Sequence, residues 1–294
     1  DGKDGYGLIM DPEPQGGFRV RSATPEAFAV ARGWARDEGW NPGIADLEAF
    51  FAADTSGFLL GYANDRPVSS ISVVKYGETQ GFLGFYIVHP DARGKGFGMA
   101  TWSAGMAYLG KRTVGLDGVV AQQENYTKSG FQLVGRNIRF TGVPILTELP
   151  GSAVTVEAAL DQHAGQIETL DRVCFGSPRP GFLKAWIYAA PEAGRKTLVA
   201  FESGALSGYA TIRECVEGYK IGPLFAQTRH AAEALFQACC AEAERGASIT
   251  LDVPETNNQA MGMAQSAGLT SVFETARMYR GSAPELPWAS IYGV

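Results

Sequence analysis

Between Phe85 and Trp102 the chain reads FYIVHPDARGKGFGMATW, and within it Arg93, Gly94, Lys95, Gly96, Phe97 and Gly98 set two cations among three glycines. Met99, Trp102, Met106 and Leu109 then recur at three- and four-residue steps, the spacing of one helix face, and Gly110 supplies a stop. A helix therefore begins where the glycines end. Its first N–H groups lack internal partners and lie at the positive end of the helix dipole, so glycines in front let a phosphate approach the backbone directly. Two further stretches carry groups able to act on a substrate. Glu38 to Gly43, EGWNPG, is rich in turn formers yet presents a carboxylate, an indole and an amide, and Asp117 and Tyr126 lie beyond the helix.

Three kinds of phosphate loop compete for RGKGFG. A nucleotide-triphosphate loop requires GxxxxGK[ST], and no Ser or Thr follows Lys95 to hold magnesium. A dinucleotide fingerprint requires GxGxxG, and Met99 occupies the place of its third glycine. What remains is Arg-x-x-Gly-x-Gly after a strand ending at Val88. His89, followed by Pro90, reads as a structural residue of the intervening turn.

The elements that must position these groups can be traced along the chain. Phe18–Arg21 reads as a strand, and Thr24, Pro25 and Glu26 form a helix start that runs through Trp34 toward Gly39. A short helix with Leu47, Phe50 and Phe51 on one side follows. Phe58–Tyr62, Val68–Tyr76 and Gly81–Val88 read as an antiparallel meander, Val114–Val120 as a strand, Glu124–Ser129 as a helix and Phe131–Phe140 as a final strand. The order is β-α-α-β-β-β-α-β-α-β.

That order repeats. PVSSISVVKY from Pro67 answers to ALSGYATIREC from Ala205, GFLGFYIV to GYKIGPLF, Leu116–Asp117–Gly118–Val119 to Leu251–Asp252–Val253, and RNIRFTG to ARMYRG. Whole-domain duplication explains these matches with few gaps. The glycine loop is not repeated: Phe225–Ala226–Gln227–Thr228–Arg229–His230 runs straight into a helix with Leu235, Phe236 and Cys239 inward. The expected organisation is an arm at 1–16 (flexible, or an expression remnant rather than a targeting segment), a first domain at 17–143, a linker at 144–152 marked by Pro144, Pro150, Gly151 and Ser152, a second domain at 153–281, and a tail at 282–294.

The Arg-x-x-Gly-x-Gly loop, in this element order and followed by Tyr126-x-x-x-Gly130-Phe131, resembles the acetyl-CoA loop and second signature of the GCN5-related N-acetyltransferase (GNAT) superfamily. EGWNPG, GLDGVVAQQENYTKSGF and RNIRF are also similar to a tandem-GNAT bacterial subgroup. The likeness covers nearly the whole chain and implies an α/β (α+β) fold of two tandem GNAT-like domains, each a mixed, mostly antiparallel sheet flanked by helices. It departs from the superfamily where an Asn normally follows the strand before the tyrosine, which leaves Gln122 or Asn125 for that contact. The second half keeps the asparagine, as Asn257, but has Ala264 in the tyrosine's place.

The resemblance implies acetyl transfer from acetyl-CoA, the cosubstrate, to an amine by direct attack on the thioester, with no metal. Backbone amides from Gly94 to Met99, including Gly96, Phe97 and Gly98, would hold the pyrophosphate, with Arg93 and Lys95 beside it, and Tyr86, Ile87 and Val88 would pair with the pantetheine arm. Tyr126 is the candidate acid toward the CoA sulfur, and also reads as an aromatic packed on the sheet. Glu38 is the candidate base, with Trp40, Asn41 and Asp117 toward the acceptor; a helix-end or turn hydrogen bond is the competing reading for either acid. The expectation is one active site, in the first half, acting on a small amine or amino-acid-like molecule. A non-catalytic acyl-CoA sensor or interaction module is the alternative, and acetylation of a protein N-terminus a third possibility.

Composition narrows the setting. The 294 residues suit two domains, no apolar run nears the roughly 20 residues that cross a bilayer, and the net charge of −6 argues against nucleic-acid or anionic-membrane partners. Cys174, Cys215, Cys239 and Cys240 lack metal-ligand spacing and read as reduced thiols of a cytoplasmic protein. No oligomeric state is implied, and a monomer is compatible with the sequence.

Overall fold

A computed structural model describes residues 17–147 and 153–294; the arm at 1–16 and the centre of the linker, with Pro150, Gly151 and Ser152, lie outside the described residues. Strand β1 (Arg19–Ser22) leads to Thr24, whose hydroxyl accepts from the Ala27 N–H at 3.3 Å and starts helix α1 (Pro25–Asp37). Helix α2 (Asp46–Ala53) and the meander β2 (Phe58–Ala63), β3 (Arg66–Tyr76) and β4 (Gln80–Val88) follow, then α3 (Phe97–Leu109), β5 (Thr113–Val119), α4 (Gln123–Lys128) and β6 (Gln132–Gly142). Trp102, Met106 and Leu109 face inward on α3, but Met99 is 39% exposed because it lies on the first turn, beside the glycine loop.

The second half repeats the order with β7 (Val154–Ala158), α5 (Ala164–Phe175), α6 (Pro180–Ile187), β8 (Arg195–Glu202), β9 (Ala205–Glu214), β10 (Tyr219–Ala226), α7 (Arg229–Glu242), β11 (Ile249–Pro254), α8 (Asn258–Ser266) and β12 (Thr270–Arg280). Residues 282–294, read from sequence as a tail, contain one more strand, β13 (Ile291–Gly293). Alternation along the strands separates two apolar faces. Ile71 and Val73 of β3 pack with α3, whereas Val74 and Tyr76 pack with α1 and α2; in the second half Ala210 and Ile212 of β9 face α7, and Tyr209 faces α5 and α6. The sheet is thus the middle of three layers. No helix among the described residues is long and apolar enough to cross a membrane.

All strands join one mixed, mostly antiparallel sheet in the order β1-β2-β3-β4-β5-β12-β6-β11-β10-β9-β8-β7, with β13 on β10. Among the described strands, only β4–β5 and β10–β11 are parallel. The halves exchange their last long strands: β12, from the second, lies between β5 and β6, and β6, from the first, lies between β12 and β11. Each exchanged strand is pinned by an arginine. Arg277 of β12 faces Asp117 of β5 and binds it through two hydrogen bonds of 2.6 and 2.8 Å; Arg139 of β6 faces Asp252 of β11 with bonds of 2.7 and 2.8 Å. Two residues before each arginine stand Asn137 and Thr275, which face each other across β6 and β12, so a local twofold passes between them.

Arg277 is 9% exposed, so removing it would strand Asp117 in a mostly buried position. Arg277→Ala should lower unfolding stability by on the order of 3 kcal/mol, measured by urea denaturation. A loss within 0.5 kcal/mol, roughly the range of an ordinary surface change, would mean that the pair does not hold the exchanged strand.

Candidate active site

The site grows from a bulge in β4. Ser70 and Ser72 of β3 face Ile87 and Gly84, leaving Phe85 and Tyr86 opposite one residue, and Phe85 adopts φ 47°. The Ser70 hydroxyl donates to the Phe85 carbonyl at 2.7 Å and fixes the distortion. Pairing with β5 stops at Leu83–Leu116, after which the two parallel strands diverge. A cleft of about 490 Å³ opens there, lined on one side by Gly84–Val88 and on the other by Leu116–Val119. The β4 segment Gly84–Val88 runs along this cleft in the extended form that an elongated ligand can lie beside.

The glycine loop leads from β4 to α3. Gly96, at φ 77°, is the N-cap of α3 and gives no side-chain cap, so the helix's first amides are left for an anion. The Arg93 Nε donates to the Val88 carbonyl at 3.0 Å, and its guanidinium forms an ion pair with Glu38. The Lys95 ammonium donates to the Asp91 carbonyl at 2.7 Å. Glu38, Trp40, Tyr86, Ile87, Val88, Arg93, Asp117 and Tyr126 all line the cleft; Gly94 to Met99 do not, and Lys95 and Phe97 line a separate cavity with His89 and Arg66.

Tyr126 reaches the cleft from the α3–α4 face of the sheet, because Gly118 has no side chain: a Cβ there would stand 2.3 Å from the tyrosine ring. Trp102 stacks on the ring at 5.8 Å and Phe131 meets it edge-on. Burial pushes the phenol pKa up to about 12. The ring is packed as the structural reading expects, and the residue also lines the cleft. Gln122 also lines the cleft, while Asn125 donates to the Gln122 side-chain oxygen at 2.7 Å.

The opposite mouth is formed by the loop between α1 and α2 on the other face. Trp40 lines it, but Asn41 turns toward the second half, its side chain donating to and accepting from the Glu217 backbone at 2.9 Å each. Two cations hold the same loop: the Arg139 guanidinium donates to the Trp40 carbonyl at 2.9 Å, and the Lys220 ammonium to the Asn41 carbonyl at 3.2 Å. Asp117 is occupied by Arg277 and by the Asn137 amide at 2.9 Å. Burial works against the charged Asp252, yet the Arg139 hydrogen bonds and the nearby Lys220, Arg139 and Arg213 hold its pKa below the ordinary range.

Several lining residues carry no chemistry legible from their own neighbourhood: Asn137, Arg139, Asp252, Phe273, Thr275 and Val294. Asp252 had a signal, since it is the repeat mate of Asp117, and Arg139 belongs to the RNIRF stretch. Phe273 and Val294 had none.

Comparison with known proteins bears on this arrangement. A family model described as "Acetyltransferase (GNAT) family" matches residues 24–131, and one described as "Acetyltransferase (GNAT) domain" matches residues 167–293. The chain is 32% identical over 283 residues to holothin acyltransferase of Pseudoalteromonas sp. (strain SANK 73390), covering 96% of this chain and 93% of that protein. A putative acetyltransferase from Pyrococcus horikoshii shares the fold with a TM-score of 0.78 at 22% identity, over 95% of this chain and 94% of the other. A tandem GNAT protein from the clavulanic acid biosynthesis pathway superposes with a TM-score of 0.62 at 12% identity, over 91% of this chain and 100% of the other.

Lys220 gives a test of how the loop is anchored. Burial, only partly opposed by Asp252, lowers its pKa from 10.5 to about 8. Between those values the unfolded chain binds more protons than the folded one, so this group's contribution to stability rises with pH across the window and is least favourable below about 8. Lys220→Met should therefore gain most in Tm over the parent protein near neutral pH, with the difference shrinking from about pH 8 to about pH 10.5. Parallel thermal melts across that range would read this, and a pH-independent difference would contradict it.

Proposed function

The chain belongs to the GCN5-related N-acetyltransferase family and is an acyltransferase, and from that premise we propose that its first half holds a single active site that moves an acetyl group from acetyl-CoA to the amine of a small molecule. The observation that carries this reading is the contrast between the two strand gaps. In the first half the opening between β4 and β5 brings Arg93 at the head of the glycine loop, Tyr126 and Glu38 and Trp40 of the α1–α2 loop to one cleft. In the second half β10 and β11 pair from Tyr219 to Ile221 and then diverge likewise, but β13 lies along β10 at Leu224 and Phe225. Asn257, the asparagine retained there, donates to the carbonyls of Trp288, Ala289 and Ile291.

The start of α7 is also unsuited to a diphosphate. Thr228 caps it by accepting from the Ala231 N–H at 3.1 Å, and the Thr228 hydroxyl donates to Glu202 at 2.7 Å. A carboxylate thus stands where the first half has its cradle, and it would repel phosphate.

In the first half, the amides at the start of α3 together with Arg93 and Lys95 hold the diphosphate, and the β4 edge from Tyr86 to Val88 aligns the pantetheine. The amine nitrogen attacks the thioester carbon from the α1–α2 loop side, the C–S bond breaks, and the thiolate leaves toward Tyr126. The raised pKa keeps the phenol protonated, so Tyr126 hydrogen-bonds the departing sulfur and supplies its proton. Arg93 turning to the diphosphate frees Glu38 to take the proton lost by nitrogen. Asp117, held by Arg277 and Asn137, orients the polar floor instead of accepting that proton. The kinship with an enzyme named for holothin favours a small-molecule acceptor over a protein N-terminus.

Thiol release on mixing the protein with acetyl-CoA and either holothin or a panel of primary amines tests the activity, and calorimetric titration with CoA should give one site per chain. Tight CoA binding without turnover of any amine would favour an acyl-CoA sensor, and two sites would end the single-site reading. Tyr126→Phe should lower kcat roughly 100-fold with CoA affinity nearly unchanged. Because the phenol is lost only as pH rises through about 12, kcat should show no falling limb from this group between about pH 7 and about pH 10.

A further inference from the structure

The floor of the cleft runs beyond the β4–β5 gap, across the seam of the exchanged strands. From β5 it crosses Asp117, then Thr275 and Phe273 on β12, Asn137 and Arg139 on β6, and Asp252 on β11. Three strand-to-strand steps separate β5 from β11, a trough of roughly 14 Å. Its two carboxylates are each paired with an arginine, Asp117 with Arg277 behind the floor and Asp252 with Arg139 on it, so the trough is polar with its acids already engaged. Its apolar surfaces are Phe273, 37% exposed with the Arg139 guanidinium 5.5 Å from its ring centre, and Val294 at the far end.

Val294 stands there because of how β13 is held. Its N–H donates to the Asp252 carbonyl at 3.0 Å, β13 pairs with β10, and Tyr292, 1% exposed, is anchored by its hydroxyl donating to Gln259 at 2.6 Å. The strand that fills the second half's gap therefore carries Val294, the residue after it, to the first half's cleft. We propose that Val294 is the end wall of the acceptor trough and that, with Phe273, it sets the size of amine the enzyme accepts: a primary amine with a neutral, partly apolar body short enough to stop at β11. This rests on the first-half active site proposed above. Neither residue touches the thioester, so their effect falls on acceptor choice and not on acetyl-CoA.

The test uses the full chain, acetyl-CoA and a graded series of primary amines, methylamine, butylamine, benzylamine and tryptamine, with thiol release as the readout. Val294→Trp should raise the acceptor KM by roughly 10-fold or more for the largest amine the parent protein turns over, while the KM for acetyl-CoA and the Tm stay the same. Val294→Ala should shift the preference toward larger amines, and Phe273→Ala should do so for those with a ring. An active parent protein whose acceptor ranking and KM values are unchanged in all three variants would overturn this inference and leave the function standing. No thiol release from the parent protein with any amine would overturn both.

Discussion

Two bidentate arginine–aspartate pairs, Arg277 with Asp117 and Arg139 with Asp252, hold the exchanged strands, and much of the molecule follows from them. Charged groups this little exposed are stable when paired with good geometry, and removal of one partner leaves an expensive orphan. Each pair joins a strand from one half to a strand from the other. The pairs therefore act as register marks for β6 and β12, strands of equal length and similar pattern. They also decide chemistry: an aspartate engaged by an arginine fork is a fixed acceptor, not a mobile base.

The same divergence of parallel strands occurs twice and is resolved in two ways. A strand that leaves its neighbour exposes backbone groups that must find partners. Beside β10 the chain supplies them itself through β13 and Asn257. Beside β4 no strand takes that place among the described residues, and a cleft of about 490 Å³ opens instead. The second half also clamps the α1–α2 loop through Glu217, Lys220 and the Gly43–Cys215 bridge. The two halves thus resolve the same divergence differently, one by opening a cleft and the other by filling the gap and bracing the loop at the cleft's mouth.

Much of this was legible in the sequence. The glycine loop, the capped start of α1, the element order and the duplication all come from local signals, and the structure has each element within a few residues of its expected place. The strand exchange was not legible. β6 and β12 carry the same alternation and each fits beside β5, so periodicity cannot say which of two related strands is the neighbour. The loop residue Asn41 shows a similar limit: its amide suits an acceptor site, but Glu217, 176 residues away, takes it. Phe273 and Val294 escaped notice because nothing in their local sequence distinguishes a wall of a cleft from an ordinary strand residue or tail.

The exchange also has a consequence for the order of events during synthesis. β5 is complete at Val119, but its neighbour β12 begins only at Thr270. Until that segment leaves the ribosome, the first half carries an open strand edge beside Asp117, with no arginine to meet it. Such edges invite pairing with other chains, and contacts this distant in sequence form late. The first half therefore cannot complete its own sheet, and the cleft takes its final shape only once β12 has been made.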